Sequence, residues 1–106
     1  MPGHSPTVTL SDDGVLTVAI DGEFDMAATF AVEPALEQAL ETPGLRRCTL
    51  DLSALTFIDS TGIGTLIRAV NSLRERGQRL TVRSATPMAR TVLETVGLTR
   101  LVDLEA

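Results

Sequence analysis

Residues 59–64 read Asp-Ser-Thr-Gly-Ile-Gly and bring a carboxylate, two hydroxyls and two glycines together in one short turn. An apolar, strand-like stretch precedes this turn, and an apolar pattern of helical period follows it. The turn should therefore place Ser60 and Thr61 at the amino end of a helix, where backbone N–H groups lack partners and an anion is stabilised. A serine exposed there could accept a phosphoryl group without damage to the fold.

The same residue types also suit an ordinary turn between a strand and a helix. In that interpretation Asp59 or Ser60 only caps the helix and contributes about 1 kcal/mol of stability. Thr61 offers a second hydroxyl, so it is an alternative acceptor. Turn chemistry alone leaves these interpretations open.

A phosphorylation site needs a protruding hydroxyl on a backbone that a kinase can approach closely. Gly62 and Gly64 would keep the surface low beside Ser60, and Ile58 and Ile63 would offer apolar contacts on either side. A phosphate on Ser60 would lie at the positive end of the helix dipole and add a charge of about −1.5 to −2. Its effect should fall on a docked partner, since the fold would not be disturbed.

The composition indicates one acidic domain with an aliphatic core. The chain has 106 residues, 43% of them hydrophobic, with three Phe and no Trp or Tyr, which argues against base-stacking nucleic-acid modules. Residues 1–45 hold eight acidic residues and no Lys or Arg, whereas residues 46–106 hold six acidic residues and nine Arg. The net charge of −5 disfavours nucleic acid and anionic membrane surfaces, while an acidic face could attract a basic protein partner.

The chain lacks the residue sets of common active sites. Its one histidine, His4, lies in the N-terminal lead-in, so Ser60 has no evident base, and one His with one Cys cannot build a usual zinc site. We therefore expect no enzyme activity, no metal and no cofactor. Cys48 lies in a strand-like stretch and should be a buried, inert thiol. No signal peptide and no apolar run of about 18–20 residues is visible, which predicts a cytoplasmic protein without a membrane segment.

Hydrophobic periodicity predicts an α/β fold in the order β-β-α-β-α-β-α-β, with a mixed, mostly parallel sheet of about five strands and about three helices. We expect a flexible segment at residues 1–6 and one domain over residues 7–106. Asp21–Asp25 is expected to be a polar connection. A helix should follow over residues 27–42, with Phe30 on its apolar side. Pro34 either occupies the first turn of a helix that starts near Glu33 or kinks a longer helix.

Two motifs carry a resemblance to a known family. Leu55–Gly64 (Leu-Thr-Phe-Ile-Asp-Ser-Thr-Gly-Ile-Gly) is similar to the signature of STAS domains, and within them of bacterial anti-sigma factor antagonists. Ile20–Asp25 (Ile-Asp-Gly-Glu-Phe-Asp) resembles the Gly-Glu-apolar-Asp turn that follows the second strand in that family. Two motifs at the expected separation are more specific than either alone, and the resemblance covers about residues 7–104.

The resemblance implies a STAS fold and a phosphorylation switch. In such proteins the unphosphorylated form binds an anti-sigma factor that is also a serine kinase with a histidine-kinase-like ATPase fold, and this frees the sigma factor. Phosphorylation, here at Ser60, dissolves the complex, and a metal-dependent serine phosphatase resets the switch. The implied partner contacts are Asp25, Ile58, Asp59, Thr61, Gly62, Ile63 and Gly64. The alternative is a STAS subunit of a lipid-transport or stress-signalling complex that binds without switching.

Overall fold

The computed structural model describes residues 7–105. Its elements are β1 (Thr7–Leu10), β2 (Val15–Ala19), β3 (Gly22–Phe24), α1 (Met26–Leu40), β4 (Arg47–Asp51), β5 (Leu55–Ile58), α2 (Ser60–Glu75), β6 (Leu80–Arg83), α3 (Pro87–Thr95) and β7 (Val102–Glu105). The segment at residues 1–6, predicted to be flexible, lies outside the described residues.

The main sheet has five strands in the order β1-β2-β4-β6-β7. β1 and β2 form an antiparallel hairpin, in which Gly14 adopts a φ of +85° in the turn. The other neighbouring strands pair in parallel. Each crossover steps in the same direction, and right-handed crossovers of this kind place all three helices on one face of the sheet. The predicted mixed, mostly parallel sheet with three helices is thus confirmed.

A second, two-stranded sheet was missed by the sequence interpretation. β3 and β5 pair in parallel, with Phe24 opposite Ile58. The stretch Asp21–Asp25, expected to be a polar connection, therefore contains a short strand whose residues alternate between buried and exposed. This small sheet carries the chain from the main sheet to the starts of α1 and α2.

The core is aliphatic, as the composition predicts. Residues of β2, β4 and β6 that point to the helices are buried, and Phe24 is the only aromatic residue in the buried set of the described chain. Cys48 is 1% exposed, and burial raises the pKa of its thiol to about 12. The aliphatic residues of the core are mainly Leu16, Val18, Ile20, Val32, Leu36, Leu50, Leu52, Leu66, Val70, Leu73, Leu80, Val82, Leu93 and Val102.

α1 corrects one expectation and settles an open choice. Phe30, expected on the apolar side, is 72% exposed, because the buried row of α1 runs through Ala28, Thr29, Val32, Leu36 and Leu40. Each helical residue turns by about 100°, so Phe30 falls outside that row. Pro34 is the ninth of fifteen helical residues, so the interpretation that places it in a first turn is wrong.

Candidate functional site

The amino end of α2 presents Ser60 to solvent. Asp59 is the N-cap of α2, and its carboxylate accepts the Gly62 N–H at 2.9 Å. Ser60 is the first helical residue and is exposed. The structure thus assigns the cap to Asp59 and leaves Ser60 at a helix end that stabilises negative charge.

The second motif reaches the same place through Asp25. Asp25 is the N-cap of α1, and its carboxylate accepts the Ala28 N–H at 3.0 Å. Because Phe24 and Ile58 are opposite each other in parallel strands, the residues that follow them, Asp25 and Asp59, leave the sheet side by side. Neighbouring strands are about 4.8 Å apart. Two motifs that are distant in sequence therefore form one site, at which two helices begin together.

Gly62 permits this close packing. The Asp59 N–H donates to the Phe24 carbonyl at 3.2 Å, which ties the start of α2 to β3. A Cβ on Gly62 would lie 2.4 Å from the Phe24 carbonyl oxygen and 3.0 Å from Cγ1 of Ile58. Gly62 is buried, so any influence on a partner would pass through its exposed neighbours.

Gly64 differs from Gly62 in its surroundings. A Cβ on Gly64 would meet only the Arg68 guanidinium, at 3.5 Å, which is an ordinary contact. Gly64 is half-buried, as are Ile58, Thr61 and Ile63. The predicted contact residues other than Gly62 thus have partly accessible surface next to Ser60.

Polar contacts fix α1 against α2 below the site. The Thr65 hydroxyl donates to the Thr29 hydroxyl at 3.3 Å, and the Arg68 guanidinium pairs with the Glu33 carboxylate. Arg68 also reaches the Thr65 hydroxyl at 3.4 Å. These contacts set the relative position of the two helices and hence of their amino ends.

Exposed apolar side chains beside Ser60 were missed by the sequence interpretation. Met26, which follows Asp25 as Ser60 follows Asp59, is 55% exposed, and Phe30 lies one turn further along α1. The signal that could have revealed them is the contrast between an aliphatic core and the few aromatic residues available. Phe57, in β5, is also 50% exposed.

Within residues 7–105, no group of three or more His, Cys, Asp or Glu is placed to hold a metal ion. No helix in this part of the chain has the length and apolar character needed to cross a membrane.

Comparison with known proteins identifies the class. A family model described as "Mlab, STAS domain" matches residues 7–103. The chain therefore belongs to the STAS domain family, as its motifs predict.

This chain is similar to one curated relative and to two proteins of solved structure. An anti-sigma-B factor antagonist of Listeria monocytogenes is 29% identical over 96 residues, which cover 89% of this chain and 82% of the relative. The crystal structure of an anti-sigma factor antagonist from Mycobacterium paratuberculosis is 29% identical with a TM-score of 0.76, over 98% of this chain and 88% of that one. The phosphorylated form of the Bacillus cell fate determinant SpoIIAA shares the fold, with a TM-score of 0.80 at 19% identity, over 96% and 91% of the two chains.

Proposed function

We propose that this chain is an anti-sigma factor antagonist whose partner binding is switched off by phosphorylation of Ser60. Its unphosphorylated form binds an anti-sigma factor and so releases the sigma factor. The names of its relatives support the antagonist role. The observation that carries the switch is the exposure of Ser60 at the first position of α2, beside the capping carboxylate of Asp59.

The geometry supports a switch that acts on binding and spares folding. A phosphate on Ser60 would gain from the positive ends of α1 and α2, which begin side by side. It would not enter the core, because Ser60 is exposed. A partner seated over this turn with an acidic group about 5 Å away would lose roughly 3 kcal/mol at an effective dielectric of about 20. That loss corresponds to about a hundredfold in affinity.

The site residues divide into two roles in this proposal. Asp25 and Asp59 fix the two helix starts and present acidic edges to the partner, while Gly62 allows β3 and α2 to approach. The surface that contacts the partner is formed by Ile58, Thr61, Ile63 and Gly64 around Ser60.

The anti-sigma factor is the serine kinase, with a histidine-kinase-like ATPase fold, and a metal-dependent phosphatase removes the phosphate. The STAS domain then spans residues 7–106.

The test uses the anti-sigma factor that co-purifies with this chain from its native host, purified in turn by itself. Incubation of the two proteins with ATP should add one phosphate, measured by intact mass. Ser60→Ala should abolish the addition, whereas the neighbouring hydroxyl variant Thr61→Ala should retain it. Undiminished labelling of Ser60→Ala would refute Ser60 as the acceptor.

A second measurement separates binding from folding. Ser60→Glu should lose most of its affinity for the anti-sigma factor while its unfolding temperature stays within about one degree of the parent, since exposed positions contribute little to stability. Tight binding by Ser60→Glu would contradict the switch.

A further inference from the structure

Most of the aromatic surface of this chain lies outside its core. The sequence has three Phe, and only Phe24 is buried. Phe30 is 72% exposed on α1, one turn from Met26, which is 55% exposed. Exposed aromatic residues of this kind are enriched among the side chains that dominate binding at protein interfaces.

The contacts between α1 and α2 place Phe30 opposite Gly64. The Thr29 and Thr65 hydroxyls are in contact at 3.3 Å, and one turn further along the helices Glu33 pairs with Arg68. Phe30 follows Thr29 and Gly64 precedes Thr65, so both lie on the outward side of this line of contact. Met26, Phe30, Thr61 and Gly64 thus lie on one outward-facing stretch of surface between the two helices, here called the docking notch.

The fold does not explain why Gly64 is a glycine. Glycine is unfavourable inside a helix, and Gly64 is the fifth residue of α2. A Cβ there would meet only the Arg68 guanidinium, at 3.5 Å, whereas a Cβ on Gly62 would collide with backbone. The missing side chain at Gly64 therefore leaves room for something outside the chain.

Pro34 borders the same part of α1 and is equally unexplained by packing. It is exposed in the middle of the helix and cannot donate a hydrogen bond to the Phe30 carbonyl. Phe30 thus combines an exposed ring with a carbonyl whose usual helical donor is absent. Each helix therefore contains a residue unfavourable to helices close to the docking notch, Pro34 in α1 and Gly64 in α2.

We propose that the docking notch receives a bulky apolar side chain of the anti-sigma factor, which packs on Phe30 and on the bare backbone at Gly64. This inference rests on the proposed function and names a second contact beyond Ser60. Residues 1–45 contain no Lys or Arg, and Glu37 is exposed on α1 two turns beyond Phe30, so the partner's apolar side chain should be accompanied by a basic residue on that side.

The notch also explains how a single phosphate could act strongly. Gly64 lies about 6 Å along the helix axis from Ser60. A dianion on Ser60 would border an apolar contact, and desolvation of that charge would weaken docking in addition to any repulsion. Apolar packing and phosphorylation would therefore compete at one end of α2.

The test measures affinity for the purified anti-sigma factor together with unfolding temperature. Gly64→Ala should raise the unfolding temperature and weaken binding by about tenfold, because the added methyl group helps the helix and fills the notch. Phe30→Ala should weaken binding by at least about tenfold with little change in unfolding temperature. Phe57→Ala is the matched control, since it removes an exposed ring elsewhere, and it should bind like the parent.

The outcomes separate the notch from the switch. Unchanged affinity in both Gly64→Ala and Phe30→Ala would overturn the notch, and loss of binding by Ser60→Glu in the same assay would leave the proposed function standing. A loss confined to Phe57→Ala would also overturn the notch and move the apolar contact to the β3–β5 sheet. Failure of the parent chain to bind would overturn the function and the notch together.

Discussion

The Phe24 carbonyl oxygen lies 2.4 Å from the position that a Cβ atom on Gly62 would occupy. The same oxygen accepts the Asp59 N–H at 3.2 Å, so β3 and the first turn of α2 are held in backbone contact. Asp59 and Gly62 are the two residues at the start of α2 that approach the Phe24 carbonyl. Ser60 lies between them in the chain, so its exposed position depends on this contact. A glycine buried beneath the site thereby controls how the surface above it is presented.

Substitution of Gly62 by alanine should therefore destabilise the chain. The added methyl group would collide with backbone, which cannot rotate away as a flexible side chain could, and we expect a loss of about 1–3 kcal/mol. Urea denaturation followed by circular dichroism measures it. Gly64→Ala is the matched control on the same helix and should gain up to about 1 kcal/mol. Equal stabilities for the two variants would argue against a special role for Gly62.

The sequence predicted α2 and the exposure of Ser60, but it did not predict β3 or the exposure of Phe30. The amphipathic pattern after the turn gave the course of α2 and the exposed place of Ser60, because long periodic segments carry a strong signal. β3 has only three residues and was missed, since its partner β5 is more than thirty residues away and local pattern cannot reveal that pairing. Phe30 was expected on the apolar side of α1, but the face that α1 buries is set by its packing in the fold, and that face leaves Phe30 exposed.

Hydrogen-bond geometry shows which residue caps α2, which the residue types alone do not determine. Asp59 and Ser60 are both good N-cap residues, and only the contact with the Gly62 N–H at 2.9 Å assigns the cap to Asp59. The meeting of Asp25 with Asp59 likewise follows from strand register, which two separate motifs do not specify. The residues of the candidate site could thus be named from the sequence, whereas their arrangement in space required the fold.

The caps allow the structural role of Asp59 to be separated from its charge. Asp59→Ala should lose about 1 kcal/mol of stability, whereas Asp59→Asn should retain most of it because an amide oxygen also accepts the Gly62 N–H. Chemical denaturation of both variants tests this expectation. If the carboxylate also contacts the anti-sigma factor, Asp59→Asn will lose affinity while it keeps its stability. Equal losses of stability in the two variants would contradict the capping role.

Replacement of Pro34 by alanine should stabilise the protein. Proline is about 3 kcal/mol less favourable than alanine inside a helix, and Pro34 is exposed, so no buried contact is lost. We expect a gain of about 1–3 kcal/mol in the free energy of unfolding, measured in urea. Pro87→Ala is the control, because Pro87 lies at the first position of α3, where proline is well tolerated. A loss of stability in Pro34→Ala would show that the helix depends on its ring.

Cys48 makes the stability of this chain pH-dependent in the alkaline range. Its thiol is buried and has a pKa raised to about 12, while the pKa of an unfolded cysteine is near the ordinary value of 9.0. Above pH 9 the unfolded chain therefore releases a proton that the folded chain retains, and the free energy of unfolding should fall as the pH rises towards 12. The decrease should be at most about 1.4 kcal/mol per pH unit.

The composition isolates this effect of Cys48. The sequence contains no Tyr and no Lys, the other side-chain types whose ordinary pKa lies between pH 9 and 12. Urea denaturation at a series of pH values measures the slope, and Cys48→Ala should flatten it even though the smaller side chain lowers stability at every pH. A slope of the same size in Cys48→Ala would show that another group is responsible. Slow reaction of native Cys48 with a thiol reagent at pH 8, and fast reaction after unfolding, would follow from the same burial.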